Sequence, residues 1–238
     1  MTQNRQVIFE DLGLIGYQQA WDYQEQVCRS ITDRKIANRK LPPEQQASTH
    51  NYLLFCEHPP VYTLGKSGDT AHLLLNPTQL QSEGIEFYKI NRGGDITFHG
   101  PGQIVGYPIL DLDHFFTDIH RYMRTLEEVI IRTLAEYDLV AGRVKGATGV
   151  WLDADQAHKA RKICAMGIRC THWTTMHGWA LNVNTNMQYF NNIIPCGISD
   201  KGVTSLNREL GLPEIAIGEV KHKLRYWFEQ LFECALDL

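Results

Sequence analysis

The sequence predicts an α+β fold, a mixed β-sheet flanked by helices. Three observations carry that reading. Short apolar runs of strand type greatly outnumber helical patterns. Several of those runs adjoin through short turns. Their order is not a regular β-α-β alternation, which argues against a doubly wound nucleotide fold. At 238 residues, 43% of them apolar, the chain can bury a substantial core. It reads as one domain over residues 1–238, with no internal repeat, low-complexity tract or convincing linker.

The elements follow in order. Val7-Ile8-Phe9 is a plausible opening strand. From Tyr17, apolar residues recur at Ala20, Trp21, Val27, Cys28 and Ile31, which is helical spacing broken once by Gln24. The helix should fail before Leu41-Pro42-Pro43, because proline restricts its predecessor and removes a donor. The polar, basic stretch 32–49 reads as a mobile loop. Asn51–Cys56 and Val61–Leu64 are strands around the turn His58-Pro59-Pro60. Residues 77–84 form a short helix, with proline at its start and glycine at its end. Phe87–Ile90, Ile96–Phe98 and Ile104–Leu110 are strands. Asp118–Tyr137 is the best helix, with apolar residues at Ile119, Tyr122, Met123, Leu126, Val129, Ile130 and Leu134. Gly149–Leu152, Lys162–Ile168 and Trp179–Val183 return to strand, and Gly218–Leu236 closes as an amphipathic helix.

Composition narrows the function. With 23 Lys and Arg against 27 Asp and Glu, the net charge is −4. That argues against a nucleic-acid binder with a broad basic face. No apolar run is long enough to span a bilayer. The first residues do not read as a secretory signal. Six cysteines, at 28, 56, 164, 170, 196 and 234, form no CxxC pair. They read as reduced thiols in a cytoplasmic protein. Cys164, Cys170, His172 and His177 lie close together but lack the paired spacing of a zinc site, so no metal is expected.

Three stretches are unusual. Residues 92–103, Arg-Gly-Gly-Asp-Ile-Thr-Phe-His-Gly-Pro-Gly-Gln, are dense in glycine, which permits close backbone approach to a ligand. This is not a phosphate loop, because no Gly-Lys-Ser/Thr follows. Residues 161–169, Arg-Lys-Ile-Cys-Ala-Met-Gly-Ile-Arg, place Lys162 at the head of an apolar strand. Such a lysine usually sits at the strand end with its ammonium in water. The third stretch is His177-Gly-Trp-Ala-Leu-Asn182, followed by Ile194-Pro-Cys-Gly197. A thiol between proline and glycine belongs on a tight turn, a place suited to a nucleophile.

Together these stretches resemble the lipoyl(octanoyl) transferase family. The resemblance runs from about Tyr52 to Ile198. It includes Glu57-His-Pro-Pro-Val-Tyr-Thr-Leu-Gly65, Arg92-Gly-Gly, Thr97-Phe-His-Gly-Pro-Gly-Gln103, Gly149-Val-Trp151, Lys162-Ile-Cys-Ala-Met-Gly167, His177-Gly-Trp-Ala-Leu-Asn182 and Pro195-Cys-Gly197. Phe98 stands where tyrosine is common in the family. The resemblance implies the fold of biotin and lipoate protein ligase catalytic domains. It also implies octanoyl transfer from an octanoyl-acyl carrier protein to a lysine of a lipoyl domain, in 2-oxoacid dehydrogenase complexes or the glycine cleavage H protein. The implied catalytic pair is Cys196, which carries the acyl group, and Lys162, which assists it. The implied substrate positions are Arg92, Gly93, Gly94, Asp95, Ile96, Thr97, Phe98, His99, Ala165, Met166, Gly167, Gly178, Trp179 and Ala180. No cofactor is implied.

The chemistry needs these groups. A free thiol has a pKa near ~8.5, and a neighbouring ammonium favours its thiolate. A target lysine, with a pKa near ~10.4, arrives protonated and needs a base. Lys162 is the candidate for both tasks, and an ordinary cysteine hydrolase would instead use His99 or His177. Acidic protein partners would favour a basic surface. The runs Arg29, Arg34, Lys35, Arg39, Lys40 and Arg121, Arg124, Lys159, Arg161 are the two expected patches.

Overall fold

A computed structural model describes residues 4–194 and 201–237. Its larger sheet is ordered β12-β1-β2-β6-β10-β9-β8-β7, from Ala235–Asp237, Gln6–Leu14, Asn51–Glu57, Gln103–Ile109, Thr174–Asn182, Arg161–Thr171, Ala147–Leu152 and Ala141–Val144. A further short strand, β11 (Gly202–Val203), pairs with β9. The second sheet is β4-β3-β5, from Glu86–Lys89, Val61–Leu64 and Ile96–His99. β1 runs parallel to β2 and β12, whereas β2, β6, β10, β9 and β8 are successively antiparallel. The sheet is therefore mixed, as the irregular order of the elements predicts.

Period-2 alternation on β2 divides the core. Leu53 and Phe55 face one cluster, packed with residues of α3 (Ile119–Ala135) and α5 (Ile217–Phe232). Leu54 and Cys56 face the other, under α1 (Tyr17–Asn38). Side chains on a strand alternate between faces, so one strand serves both layers.

Local chemistry sets most boundaries. Asn76 and Gln79 close a reciprocal capping box on α2 (Pro77–Ser82). Asp118 accepts the Arg121 N–H to start α3. Three departures from expectation involve the helices. α1 extends through 32–38, which read as loop. Its buried face continues through Ile31, Thr32 and Lys35, and Lys35 is held by Asp111 and by Asp113 at 2.9 Å. The final helix stops at Phe232, where Glu233 turns left-handed at φ 50°, and Ala235–Asp237 then pairs with β1 as strand β12. A fourth helix, α4 (Leu206–Leu210), lies in a stretch that carried no helical pattern.

The two basic runs are depleted for the same electrostatic reason. Lys35 is buried in its ion pairs. Arg161 is taken by Asp153 and Glu209, and Arg124 by Glu127 at 2.6 Å. For the buried Lys35 the pairing is required, because a cation out of water stays charged only with a partner. Arg29, Arg34, Arg39 and Lys40 remain exposed. No helix among the described residues is long and apolar enough to cross a membrane.

Candidate active site

The glycine-rich segment 92–95 links β4 to β5 and folds back onto the larger sheet. Gly93 N–H donates to Ile168 O on β9 at 2.9 Å. Lys66 N–H donates to Arg92 O at 3.0 Å and Ser67 N–H to Gly94 O at 3.2 Å. Gly94 has φ +87°, a left-handed conformation that favours glycine. At Gly167 a Cβ would lie 2.7 Å from Gly93 O, so the loop reaches β9 only because a side chain is missing there.

Between this loop and strands β6, β9 and β10 lies a cavity of about 610 Å³. Arg92, Gly93, Gly94, Asp95, Ile96, Thr97, His99, Lys162, Ala165, Met166, Gly167, Gly178, Trp179 and Ala180 all line it. Phe98 does not. It packs with Tyr62, Leu64 and Ile193 and stacks on Tyr189 at 4.5 Å. Pro195, Cys196 and Gly197 lie outside the described residues. The structure adds Tyr17, His72, Gln103, Tyr107, Met123, His177, Asn182 and Phe190 to the wall. Tyr17, at the start of α1, reads in sequence as an ordinary core aromatic, and no local signal places it over His99 at a ring separation of 5.8 Å.

Lys162 is 9% exposed. Its ammonium lies 4.7 Å from the centroid of the Trp151 ring, a cation–π contact with the residue paired to it on β8. Its carbonyl accepts Thr204 N–H at 2.9 Å. The lysine therefore reaches a mostly apolar cavity, against the usual preference for a solvated strand end.

A directional hydrogen-bond chain runs along the cavity wall. Arg92 Nη2 donates to Thr63 Oγ1 at 3.0 Å. Thr63 Oγ1 is 3.3 Å from His99 Nε2, and His99 Nδ1 is 2.8 Å from Gln103 Oε1. The Gln103 amide nitrogen donates to Asn182 Oδ1 at 2.8 Å, and Asn182 Nδ2 to Thr204 O at 3.0 Å. Because Gln103 offers its oxygen to the ring, His99 carries its proton on Nδ1 and accepts from the threonine hydroxyl on Nε2. Both ring nitrogens are thus occupied. His177 Nε2 lies 2.9 Å from Asn91 Oδ1.

Burial holds these rings neutral. Desolvation, then His58, pushes His99 well below the ordinary histidine value. Desolvation, then the Arg92 charge, lowers His177 to about 3. Desolvation lowers His58 to about 4, and its ring sits between Tyr107 Oη at 2.7 Å and Ile15 O at 2.8 Å. Above the unfolded pKa of about 6.5 these histidines are neutral in both states and folding costs no proton. As pH falls from there toward the folded values, the unfolded chain binds protons that the native state refuses, and stability drops. His58 and His177 should each withdraw about 2 kcal/mol between pH 7 and pH 5, and His99 acts in the same direction. Urea unfolding at the two pH values should show a loss of several kcal/mol. Equal midpoints would contradict neutral burial.

The lipoyl protein ligase A/B catalytic-domain model matches residues 16–229. An octanoyltransferase of Cytophaga hutchinsonii is 56% identical, covering 98% of this chain and 96% of its own. One from Flavobacterium johnsoniae is 59% identical, covering 98% and 99%. Among solved structures, the bipartite lipoate protein ligase of Thermoplasma acidophilum superposes with a TM-score of 0.67 at 15% identity, covering 100% of this chain and 86% of that one. That likeness concerns the fold.

Proposed function

This chain belongs to the lipoyl protein ligase A/B catalytic-domain family, and on that premise we propose that it transfers an octanoyl group through a Cys196 thioester. The donor is octanoyl-acyl carrier protein. The acceptor is a lysine of a lipoyl domain in a 2-oxoacid dehydrogenase complex or the glycine cleavage H protein. The chain acts as one catalytic domain in the cytoplasm, without metal or cofactor.

The observation that supports this best is Lys162, a buried ammonium on the wall of a cavity otherwise suited to an alkyl chain. Ile96, Val105, Met166 and Ile168 supply apolar wall. Burying methylenes contributes about 0.8 kcal/mol each, so an eight-carbon chain gains about 5 kcal/mol gross. The Lys162 ammonium stabilises the Cys196 thiolate, which attacks the carrier thioester. That exchange of one thioester for another is nearly level in free energy. The departing carrier thiolate takes a proton from Lys162, which is then neutral and serves as base for the acceptor amine. Amide formation from a thioester is downhill and needs no nucleotide.

The test is transfer in the absence of ATP. Purified protein, octanoyl-acyl carrier protein and a lipoyl domain should yield octanoyl-lipoyl domain by mass. Transfer only from free octanoate with ATP would overturn the proposal in favour of a ligase.

A further inference from the structure

Resting on the acyl-transfer reading above, we propose that His72, held by Asp95, is the second proton acceptor in amide formation. Proton counting leaves one proton for an acceptor other than Lys162. The acceptor lysine arrives as an ammonium, and its nitrogen sheds two protons in becoming an amide. The C–S bond of the acyl-enzyme breaks and the C–N bond forms. One proton goes to Lys162, restoring the ammonium beside the freed thiolate. The other is the net proton of the overall reaction, in which thioester and ammonium give amide, thiol and one proton. A base that meets both the cavity and water can pass it to solvent.

Three histidines line the cavity: His72, His99 and His177. The last two are hydrogen-bonded and deeply buried. The His72 side chain is 27% exposed and that of Asp95 10%. His72 Nδ1 lies 2.6 Å from Asp95 Oδ2, an ion-pair contact that does not meet hydrogen-bond geometry. Asp95 Oδ1 accepts Ile96 N–H at 2.7 Å, which fixes the carboxylate. The remaining nitrogen, Nε2, is the one available for a proton.

The main chain ties this group to the segment 192–194. Asp69 caps the turn that carries His72, accepting Ala71 N–H at 2.9 Å. His72 O accepts Ile194 N–H at 2.9 Å, and Leu74 N–H donates to Asn192 O at 2.9 Å. Leu73 and Ile193 form an antiparallel bridge. The histidine is therefore tied by its own backbone to Ile194, two positions before Cys196 in sequence. A carboxylate behind one imidazole nitrogen orients the other and stabilises the imidazolium once a proton arrives.

Separating the half-reactions tests this. His72→Ala should load Cys196 from octanoyl-acyl carrier protein at close to the wild-type rate. Single-turnover transfer from the loaded enzyme to a lipoyl domain should fall about 100-fold. Added imidazole should restore part of that loss in His72→Ala, but not in His72→Gln, where the glutamine fills the space. Asp95→Asn should slow the same step less, without rescue. The proposal is overturned by wild-type transfer in His72→Ala, or by a loss that imidazole leaves unchanged. Failure of the wild-type protein to load Cys196 would instead defeat the parent reading.

Discussion

Lys162→Met should lower octanoyl transfer by about 10³-fold while the protein stays folded. Methionine keeps an unbranched stem of similar length against Trp151 and removes the ammonium, which now lies 4.7 Å from that ring centroid. The cation–π contact is worth only about 0.5–2 kcal/mol, and leaving out a buried charge offsets part of its loss. Thermal melts of the variant separate any stability cost from the loss of rate. Both half-reactions should slow, because the same ammonium favours the thiolate and then, deprotonated, accepts a proton. Single-turnover rates of both steps, read with those melts, would establish this. Rates within a few-fold of wild type would remove Lys162 from the mechanism.

Gly178→Ala should cost about 3 kcal/mol of stability. Gly178 lies on β10, where β6 runs alongside. A Cβ there would stand 2.2 Å from Gly106 O and 2.6 Å from Pro108 Cδ. A backbone carbonyl and a proline ring cannot swing aside as a flexible side chain can. Gly178 also lines the cavity, so any compensating shift of the strands deforms the acyl site. Gly218→Ala is the contrast. It sits in α5 with nothing within 4 Å of the built Cβ, and should be neutral or stabilising by up to about 1 kcal/mol. Urea midpoints would compare the two. Equal midpoints would contradict the close approach of β6 and β10.

What was legible in the sequence depended on how local its cause was. α3 and α2 carry their own periodicity and caps, so Asp118 and Asn76 mark their starts before any partner is known. β12 has three residues and exists through pairing with β1, about 230 positions away in sequence, so no local pattern announces it. The extension of α1 depends on Lys35 finding Asp111 and Asp113, again a distant partner. The site followed the same rule. Glycine density at 92–103 and the lone lysine of β9 were visible as sequence oddities. The placing of Phe98 away from the cavity comes with its stack on Tyr189, a distant partner. Tyr17 and His72 reach the wall through tertiary folding alone, Tyr17 from a helix that reads as core and His72 from a polar turn.

The most direct measurement is the intact mass of this protein after mixing with octanoyl-acyl carrier protein in the absence of ATP. The account predicts one added octanoyl group, labile to hydroxylamine and absent in Cys196→Ala. An unchanged mass, with the carrier protein still fully loaded, would contradict covalent transfer through Cys196.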